Sequence, residues 1–325
     1  MNYNQPTVVE LFAGGGGMAL GLEKAGFDTK LLIEFDKDCV HTLRNNRPKW
    51  NIIDKDIRDI DFTSIQSDVV TGGFPCQPFS HIGHKLGFQD TRGTLFYEFA
   101  RAVKEIKPKI FLAENVEAII RNNNGSTLRT IIDILSSFGY NVQFKVLNAV
   151  NYNVPQKRKR VFFIGTLDGF SFEYPKISQR ILTLSDALFN VPLSDGAEYS
   201  DKKKSMLKHV PAGGSWVDMP LDIQKKYMGN YFYSSGGRRG VARRISWSEP
   251  CPTLTCSPSQ KMTERIHPDE VRPFTVREYA RIQTFPDTWH FHGSLISQYK
   301  QIGNAVPVNM AFEISKQILR SLSFT

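Results

Sequence analysis

The stretch "TVVELFAGGGGMALGLEKAGF" (residues 7–27) decides the fold. Its first six residues form a short apolar run that predicts a buried strand, and four consecutive glycines then interrupt it. Apolar residues recur at helical spacing in "MALGLEKAGF", so the stretch predicts strand, turn and helix in succession. The spacing Gly14-x-Gly16-x-x-Ala19 fits a relaxed form of the glycine fingerprint of nucleotide-cofactor sites, where glycines let a ligand approach the backbone.

The same alternation continues to about residue 170. Further strands are predicted in "TKLLIEFD" (29–36), "SDVVTGGF" (67–74), "KIFLAENV" (109–116) and "RVFFIGTL" (160–167). Helices are predicted in "KDCVHTLRNN" (37–46), "TLFYEFARAVKEI" (94–106) and "STLRTIIDILSSFG" (126–139). Strands alternating with helices predict an α/β fold with a mostly parallel, doubly wound sheet.

Two acidic residues follow the glycine loop at informative distances. Glu34 ends the second predicted strand, about 20 residues after the loop, where a carboxylate accepts hydrogen bonds from ribose hydroxyls. Asp56 in "KDIRD" is placed to reach an adenine amino group. Together with the glycines, they predict an adenosine-containing cofactor, and the spacing leaves nicotinamide dinucleotides and S-adenosylmethionine open.

The segment "GGFPCQPFS" (72–80) bears on that choice because it places Cys76 at the carboxyl edge of the sheet, where ligands bind in such folds. Hydride transfer needs no nucleophilic thiol there. The other three cysteines, Cys39, Cys251 and Cys256, show no paired spacing, so we predict neither a zinc site nor a disulfide framework, and no metal elsewhere.

Charge and hydropathy limit the partners. The 325-residue chain has a formal net charge of +9, with basic clusters at 156–160, 201–204 and 236–244, which weakly favours a polyanionic partner. No apolar run is long enough to span a bilayer, so we expect no membrane association and a cytoplasmic location.

Six segments together resemble, in order, the motifs of the DNA cytosine-5 methyltransferases. They are "ELFAGGGG" (10–17), "GGFPCQPFS" (72–80), "ENV" (114–116), "QKRKR" (156–160), "REYARIQTFPD" (277–287) and "QIGNAVPV" (301–308). The resemblance runs from about residue 8 to residue 312 and omits about 186–250, where that family varies its target-recognition domain. Departures are Glu10 where aspartate is usual, Phe35 where tryptophan is frequent, and Lys55 where glycine is common.

The resemblance implies a bacterial or phage-type enzyme that transfers methyl from S-adenosyl-L-methionine to carbon 5 of cytosine in a short sequence of double-stranded DNA. The implied fold is a Rossmann-like methyltransferase sheet with a second, smaller target-recognition domain. We expect a catalytic and cofactor-binding domain at 1–185, completed by 293–325, and a recognition domain with a hinge at 186–292. We also expect a monomer, with a restriction endonuclease for the same site as a candidate partner.

The resemblance also implies residue roles. Cys76 is the nucleophile that adds to carbon 6, and Glu114 is the acid that hydrogen-bonds to cytosine N3. We expect Arg158 or Arg160 to help lower the pKa of the Cys76 thiol, and Arg160 also to contact the base carbonyl. The expected cofactor residues are Phe12, Ala13, Gly14, Gly15, Gly16, Gly17, Glu34, Phe35, Asp56, Ile57, Pro75, Leu95, Asn304 and Val306. The expected DNA contacts are Ser80, Ile82, Arg238, Arg239, Arg243 and Thr253, with Ile82 filling the space left by a flipped base.

Three other hypotheses remain at this point. A tRNA cytosine-5 methyltransferase would share the chemistry, but we do not find the Cys-Phe-Thr signature of those enzymes. A catalytically silent DNA-binding relative would not need Cys76, Glu114, Arg158 and Arg160. A nicotinamide oxidoreductase would explain the glycine loop alone.

Overall fold

The computed structural model describes residues 5–75, 95–234 and 240–323. Its strands are β1 (Thr7–Leu11), β2 (Asp28–Glu34), β3 (Ile52–Asp54), β4 (Val69–Gly72), β5 (Ile110–Val116), β6 (Asn141–Asn148), β7 (Gln156–Lys157), β8 (Lys159–Thr166), β9 (Arg243–Arg244), β10 (Cys251–Pro252) and β11 (Arg265–Ile266). Its α-helices are α1 (Gly17–Ala25), α2 (Lys37–Asn46), α3 (Leu95–Ile106), α4 (Ser126–Ser136), α5 (Leu184–Leu188), α6 (Asp201–Leu207), α7 (Leu221–Met228), α8 (Val276–Ile282), α9 (Leu295–Asn304) and α10 (Val308–Ser323).

Seven strands form one sheet in the order β3-β2-β1-β4-β5-β8-β6. The strands β1 to β5 run parallel, whereas β8 is antiparallel to both β5 and β6. This confirms the predicted α/β fold and its mostly parallel sheet. Strand order reverses between β1 and β4, so their carboxyl ends open the crevice where such sheets bind ligands.

The C-terminal helix completes the first domain by packing against α1. Gly21 of α1 lies so close to α10 that an added Cβ would stand 2.4 Å from the Cβ of Ala311. Gly17 is equally tight, because its Cβ would lie 2.2 Å from the carbonyl oxygen of Val306. The last helix and the turn before it therefore pack tightly on the helix that follows the glycine loop.

A separate apolar core lies within the second region of the chain. Its buried members come from residues 199–266: Tyr199, Leu207, Val210, Met219, Tyr227, Met228, Val241, Ala242 and Ile266. Residues 274–291 instead pack with the glycine loop, and Trp289 donates its indole Nε1–H to the carbonyl oxygen of Gly15 at 3.1 Å. Residues 274–291, which follow the second core in the sequence, therefore pack with the glycine loop and not with that core.

Candidate active site

A cavity of about 740 Å³ opens at the carboxyl ends of β1, β2, β4 and β5 and is closed on one side by the turn between α9 and α10. Every expected cofactor residue except Gly16 lines it: Phe12, Ala13, Gly14, Gly15, Gly17, Glu34, Phe35, Asp56, Ile57, Pro75, Leu95, Asn304 and Val306. Gly16 instead faces the core, where an added Cβ would lie 2.8 Å from the side chains of Leu43 and Trp289. Glu114 and Arg160 line the same cavity.

The glycine loop is shaped by backbone conformations that favour glycine. Gly14 and Gly16 have φ of 55° and 86°, in the left-handed region. Glu34 fixes the loop, because its Oε2 accepts a hydrogen bond from the Gly14 amide at 2.7 Å. Its Oε1 accepts from the amides of Phe35 and Asp36 at 2.9 and 2.8 Å. Burial raises the pKa of Glu34, while these amides oppose the rise.

The outer part of the cavity combines an exposed aromatic face with charged groups. Phe35 is 65% exposed although it is large and apolar, so one ring face is free to stack on a planar ligand. Arg58 binds both oxygens of Asp56, at 2.9 and 2.6 Å, and lowers the Asp56 pKa to about 2. Lys300 of α9 bridges to Asp36 at 3.1 Å.

Glu10 is a cavity-lining residue that the motif pattern marked only as a departure. The residue is 3% exposed, and its Oε2 has no hydrogen-bond partner among the described residues. Burial raises its pKa well above the ordinary value, and the negative charge of Glu34 adds to the rise. A carboxyl group without a partner at the wall of a cavity is suited to receive a cationic group, whose charge would favour the ionised form.

Glu114 and Arg160 form the ion pair of the site. Their strands β5 and β8 pair so that Val116 faces Arg160 and Glu114 faces Phe162, which makes Glu114 and Arg160 diagonal neighbours on one face. The Nε of Arg160 lies 2.9 Å from Oε1 of Glu114. Burial raises the pKa of Glu114, while the charges of Arg160 and then Arg158 oppose the rise. The carboxyl is therefore easier to protonate than an ordinary one.

The backbone before Cys76 is held against this pair. Asn115 donates from Nδ2 to the carbonyl oxygen of Phe74 at 2.8 Å, and Pro75 lines the cavity. A Cβ on Gly73 would lie 3.1 Å from Oε2 of Glu114, so glycine gives the carboxyl its space. Cys76 itself, with Ser80 and Ile82, lies outside the described residues, as do Arg238 and Arg239.

Three other expected site residues have protein partners. Arg158 is fully buried, does not line the cavity, and donates to backbone carbonyls. Arg243 binds both oxygens of Glu249, at 2.8 and 2.9 Å, and the carbonyl of Gly213. Thr253 donates its hydroxyl to the carbonyl of Lys157 at 2.8 Å. In the described part of the chain there is no cluster of three or more potential metal ligands and no helix long and apolar enough to cross a bilayer.

The model of the family described as C-5 cytosine-specific DNA methylase matches residues 6–320. The sequence is 54% identical to the Type II methyltransferase M.Eco47II of Escherichia coli, over 98% of this chain and 80% of that protein. It is 50% identical to M.Sau96I of Staphylococcus aureus, over 97% and 76%. A solved structure of a putative DNA modification methyltransferase encoded within an E. coli prophage is 26% identical, with a TM-score of 0.73 over 98% of this chain and 100% of that one. The Spodoptera frugiperda DNMT2 structure, 16% identical over 98% and 100% with a TM-score of 0.68, shares the fold.

Proposed function

The chain belongs to the C-5 cytosine-specific DNA methylase family, and from this premise we propose how its residues carry out the reaction. The protein is a DNA (cytosine-5) methyltransferase that uses S-adenosyl-L-methionine and acts on double-stranded DNA. One observation supports the assignment of roles above all. The buried Glu114–Arg160 pair and the glycine loop held by Glu34 line one cavity, so an acid for the base and a site for the cofactor are adjacent.

We assign the nucleophile to Cys76. Its thiolate adds to carbon 6 of a cytosine that has left the helix, which makes carbon 5 enamine-like. Glu114, protonated, donates to N3 of the base and draws electron density from carbon 6, while Arg160 donates to the base carbonyl and keeps Glu114 oriented. When bound, S-adenosyl-L-methionine supplies an electrophilic methyl group. Loss of the carbon 5 proton and elimination from carbon 6 then return Cys76 to its thiolate form.

The cavity fits this cofactor in three respects. Phe35 offers an exposed ring face for adenine, and Asp56 lies on the same side. The carboxylate of Glu34 accepts hydrogen bonds from three backbone amides, and its remaining lone pair can accept from a ribose hydroxyl. Glu10 lines the cavity, its Oε2 has no partner among the described residues, and its carboxyl group can receive the ammonium of the methionine part. We therefore add Glu10 to the cofactor residues.

Cofactor binding should release a proton from Glu10. Burial and the charge of Glu34 raise the pKa of Glu10 in the free protein, whereas a neighbouring ammonium favours the ionised form. The affinity for S-adenosylhomocysteine should rise about tenfold per pH unit until the pH passes that raised pKa, and then level off. Calorimetry in buffers of different ionisation enthalpy measures the protons released.

The matched variant is Glu10→Gln, which keeps the shape and should bind without proton release. Glu34 and Glu114 are the other carboxyl groups at this cavity whose pKa is raised, and the charge of Glu34 acts on Glu10. Unchanged proton release by Glu10→Gln would therefore move the proton to one of these two carboxyls and reject the assignment.

For DNA recognition we propose that residues 186–292 form the recognition domain and hinge, with 274–292 as the hinge because this stretch packs on the glycine loop. The catalytic domain is then 1–185 with 293–325. Ser80, Ile82, Arg238 and Arg239 keep their proposed DNA roles, Ile82 as the residue that fills the vacated stack. Arg243, whose guanidinium is bound by Glu249, is assigned to support the recognition domain instead. Thr253 contacts DNA through a segment fixed by Lys157.

We further propose that the protein is a cytoplasmic monomer. We also propose a restriction endonuclease that acts on the same site, because the named relatives are Type II methyltransferases. Sedimentation at the dimer mass would reject the monomer. A nuclease that cuts the unmethylated motif and spares the methylated one is the expected partner.

The site preference is tested by methyl transfer. Tritiated S-adenosyl-L-methionine is incubated with mixed-sequence duplex DNA and, separately, with tRNA, and the DNA is then sequenced after bisulfite treatment. We expect label on DNA alone, at cytosine within one short motif, and a rate that falls steeply with added salt because phosphate contacts release counterions. Label on tRNA alone would overturn the DNA assignment.

A further inference from the structure

Three polar side chains lie behind the wall of the cavity and have no task in the chemistry above. Gln156 and Gln283 are 0% exposed and Arg158 is 1% exposed, and none of them lines the cavity. Buried amide and guanidinium groups cost several kcal/mol of desolvation unless they are paired with suitable geometry. Their partners therefore indicate what they hold in place.

Arg158 joins the recognition segment, defined here as residues 251–256, to the turn that closes the cavity. Its Nη1 donates to the carbonyl oxygen of Leu254 at 3.1 Å. Its Nη2 donates to the carbonyl oxygens of Gly303 and Ala305 at 2.8 and 3.2 Å. One guanidinium thus spans both segments in a fixed fork geometry.

The two glutamines repeat the connection. Gln156 accepts from the Leu254 amide at 3.0 Å and donates to Oε1 of Gln283 at 2.8 Å. Gln283 in turn donates to the carbonyls of Ile302 and Ala305 at 2.8 and 3.1 Å. Leu254 is consequently held through both its amide and its carbonyl, and the cavity turn is held from two sides.

Direct contacts leave little space between the same two segments. A Cβ on Gly303 would lie 2.6 Å from the carbonyl oxygen of Thr255. Cys256 donates its thiol to Oδ1 of Asn304 at 2.8 Å, and Asn304 lines the cavity. The recognition segment also pairs in parallel with β7, with Cys251 opposite Gln156. A shift of either segment therefore has to move the other.

We propose that Gln156, Arg158 and Gln283 form a polar strut that couples the recognition segment to the cofactor cavity. The inference rests on the proposed function. A cofactor that orders Asn304 and Ala305 would hold Leu254 and its neighbours in the position that DNA requires, and DNA would do the reverse for the cofactor. Such coupling is reciprocal in binding free energy. Arg158 is then a positioning residue rather than a catalytic one.

The coupling is measured with two titrations. The Kd of S-adenosylhomocysteine is determined by calorimetry with and without a duplex carrying the motif found by bisulfite sequencing. The Kd of that duplex is determined by fluorescence anisotropy with and without S-adenosylhomocysteine. For the unaltered protein we expect each ligand to tighten the other by the same factor, about 5- to 150-fold.

The strut variants are Arg158→Met and the double variant Gln156→Met with Gln283→Met. We expect the coupling factor to fall to within about twofold of one, while the affinity for S-adenosylhomocysteine alone changes less than about threefold. Arg158→Lys, which keeps the charge but reaches fewer carbonyls, should retain part of the coupling. If Arg158 only supported the fold, the coupling factor would not decrease in the order unaltered protein, Arg158→Lys, Arg158→Met.

Thr42→Val is the matched control, because Thr42 donates to Gln301 of the same helix α9 at 2.6 Å in another buried polar pair. It should keep the coupling. If Arg158→Met does not fold, as judged by circular dichroism, the single variant Gln156→Met tests the same connection with the guanidinium in place. Absent coupling in the unaltered protein, or full coupling in folded strut variants, would overturn the strut. Failure of methyl transfer to duplex DNA would instead overturn the proposed function.

Discussion

The Cys76→Ala variant should lose methyl transfer by a factor on the order of 10⁴ to 10⁶, the scale seen when a covalent nucleophile is removed from an enzyme. Carbon 5 of cytosine does not attack a methyl donor until a nucleophile has added to carbon 6, so removing the thiol should stop the reaction at its first step. Binding of S-adenosylhomocysteine should be unchanged within about twofold, because the glycine loop and Glu34 hold that ligand. Tritium transfer and calorimetry measure the two effects.

Covalent trapping separates the nucleophile from a structural cysteine. S-adenosyl-L-methionine is added with a duplex that carries 5-fluorocytosine at the target. After thiolate addition and methyl transfer, carbon 5 cannot lose fluorine as a cation, so elimination is blocked and the adduct should persist through denaturing electrophoresis. Cys251→Ala is the matched control, since the Cys251 side chain is fully buried and burial raises its thiol pKa to about 12. An adduct that survives in Cys76→Ala would assign the nucleophile to another residue.

Local signals were sufficient for the elements that build the cavity. The segment 37–46 was predicted as a helix and is α2, because Asp36 caps it by accepting from the amides of Asp38 and Cys39. The glycine loop could also be predicted from the sequence, since an apolar run, consecutive glycines and a helically periodic segment occur within 21 residues (7–27). These features are encoded by neighbours in the chain.

Long-range contacts explain what the sequence did not indicate. The edge strand β6 was missed because its residues are mostly exposed or half-buried and its strand pairing is to β8, later in the chain. Arg158 and Arg160 lie two residues apart in one basic motif and were both assigned to the active site, yet Arg160 contacts Glu114 while Arg158 binds carbonyls 96 to 147 residues away. No local pattern distinguishes a guanidinium that faces a cavity from one that faces backbone.

The raised pKa of Glu10 could not be predicted from the sequence either, because it also depends on long-range contacts. The motif indicated only that glutamate replaces aspartate at the end of β1. Its lack of a partner depends on how the surrounding strands and helices pack, and its raised pKa depends on that burial and on Glu34 across the loop. The chemistry of the site is thus partly a property of the packed sheet and not of the motif.

The second large effect is expected at Glu114. Glu114→Gln should lower kcat by about 10²- to 10⁴-fold, or about 2.7 to 5.5 kcal/mol in activation free energy, the range for loss of a general acid. Glutamine keeps a donor that can face N3 of cytosine and a carbonyl that can face Arg160, but it has no acidic proton to share with the base. Cofactor affinity should stay within about twofold, because the contact proposed for Glu114 is with the base and not with the cofactor.

The pH dependence distinguishes an acid from a structural partner of Arg160. Burial raises the pKa of Glu114, so the protonated form is present below that raised value and is lost as the pH rises through it. The kcat of the unaltered protein should therefore fall on the alkaline side of a pKa above the ordinary carboxyl value, whereas Glu114→Gln should lack this descending limb. Arg160→Ala removes the charge that opposes protonation and so should shift the limb to higher pH. An alkaline limb that persists unchanged in Glu114→Gln would show that another group supplies the proton, and Glu114 would then serve only to orient Arg160.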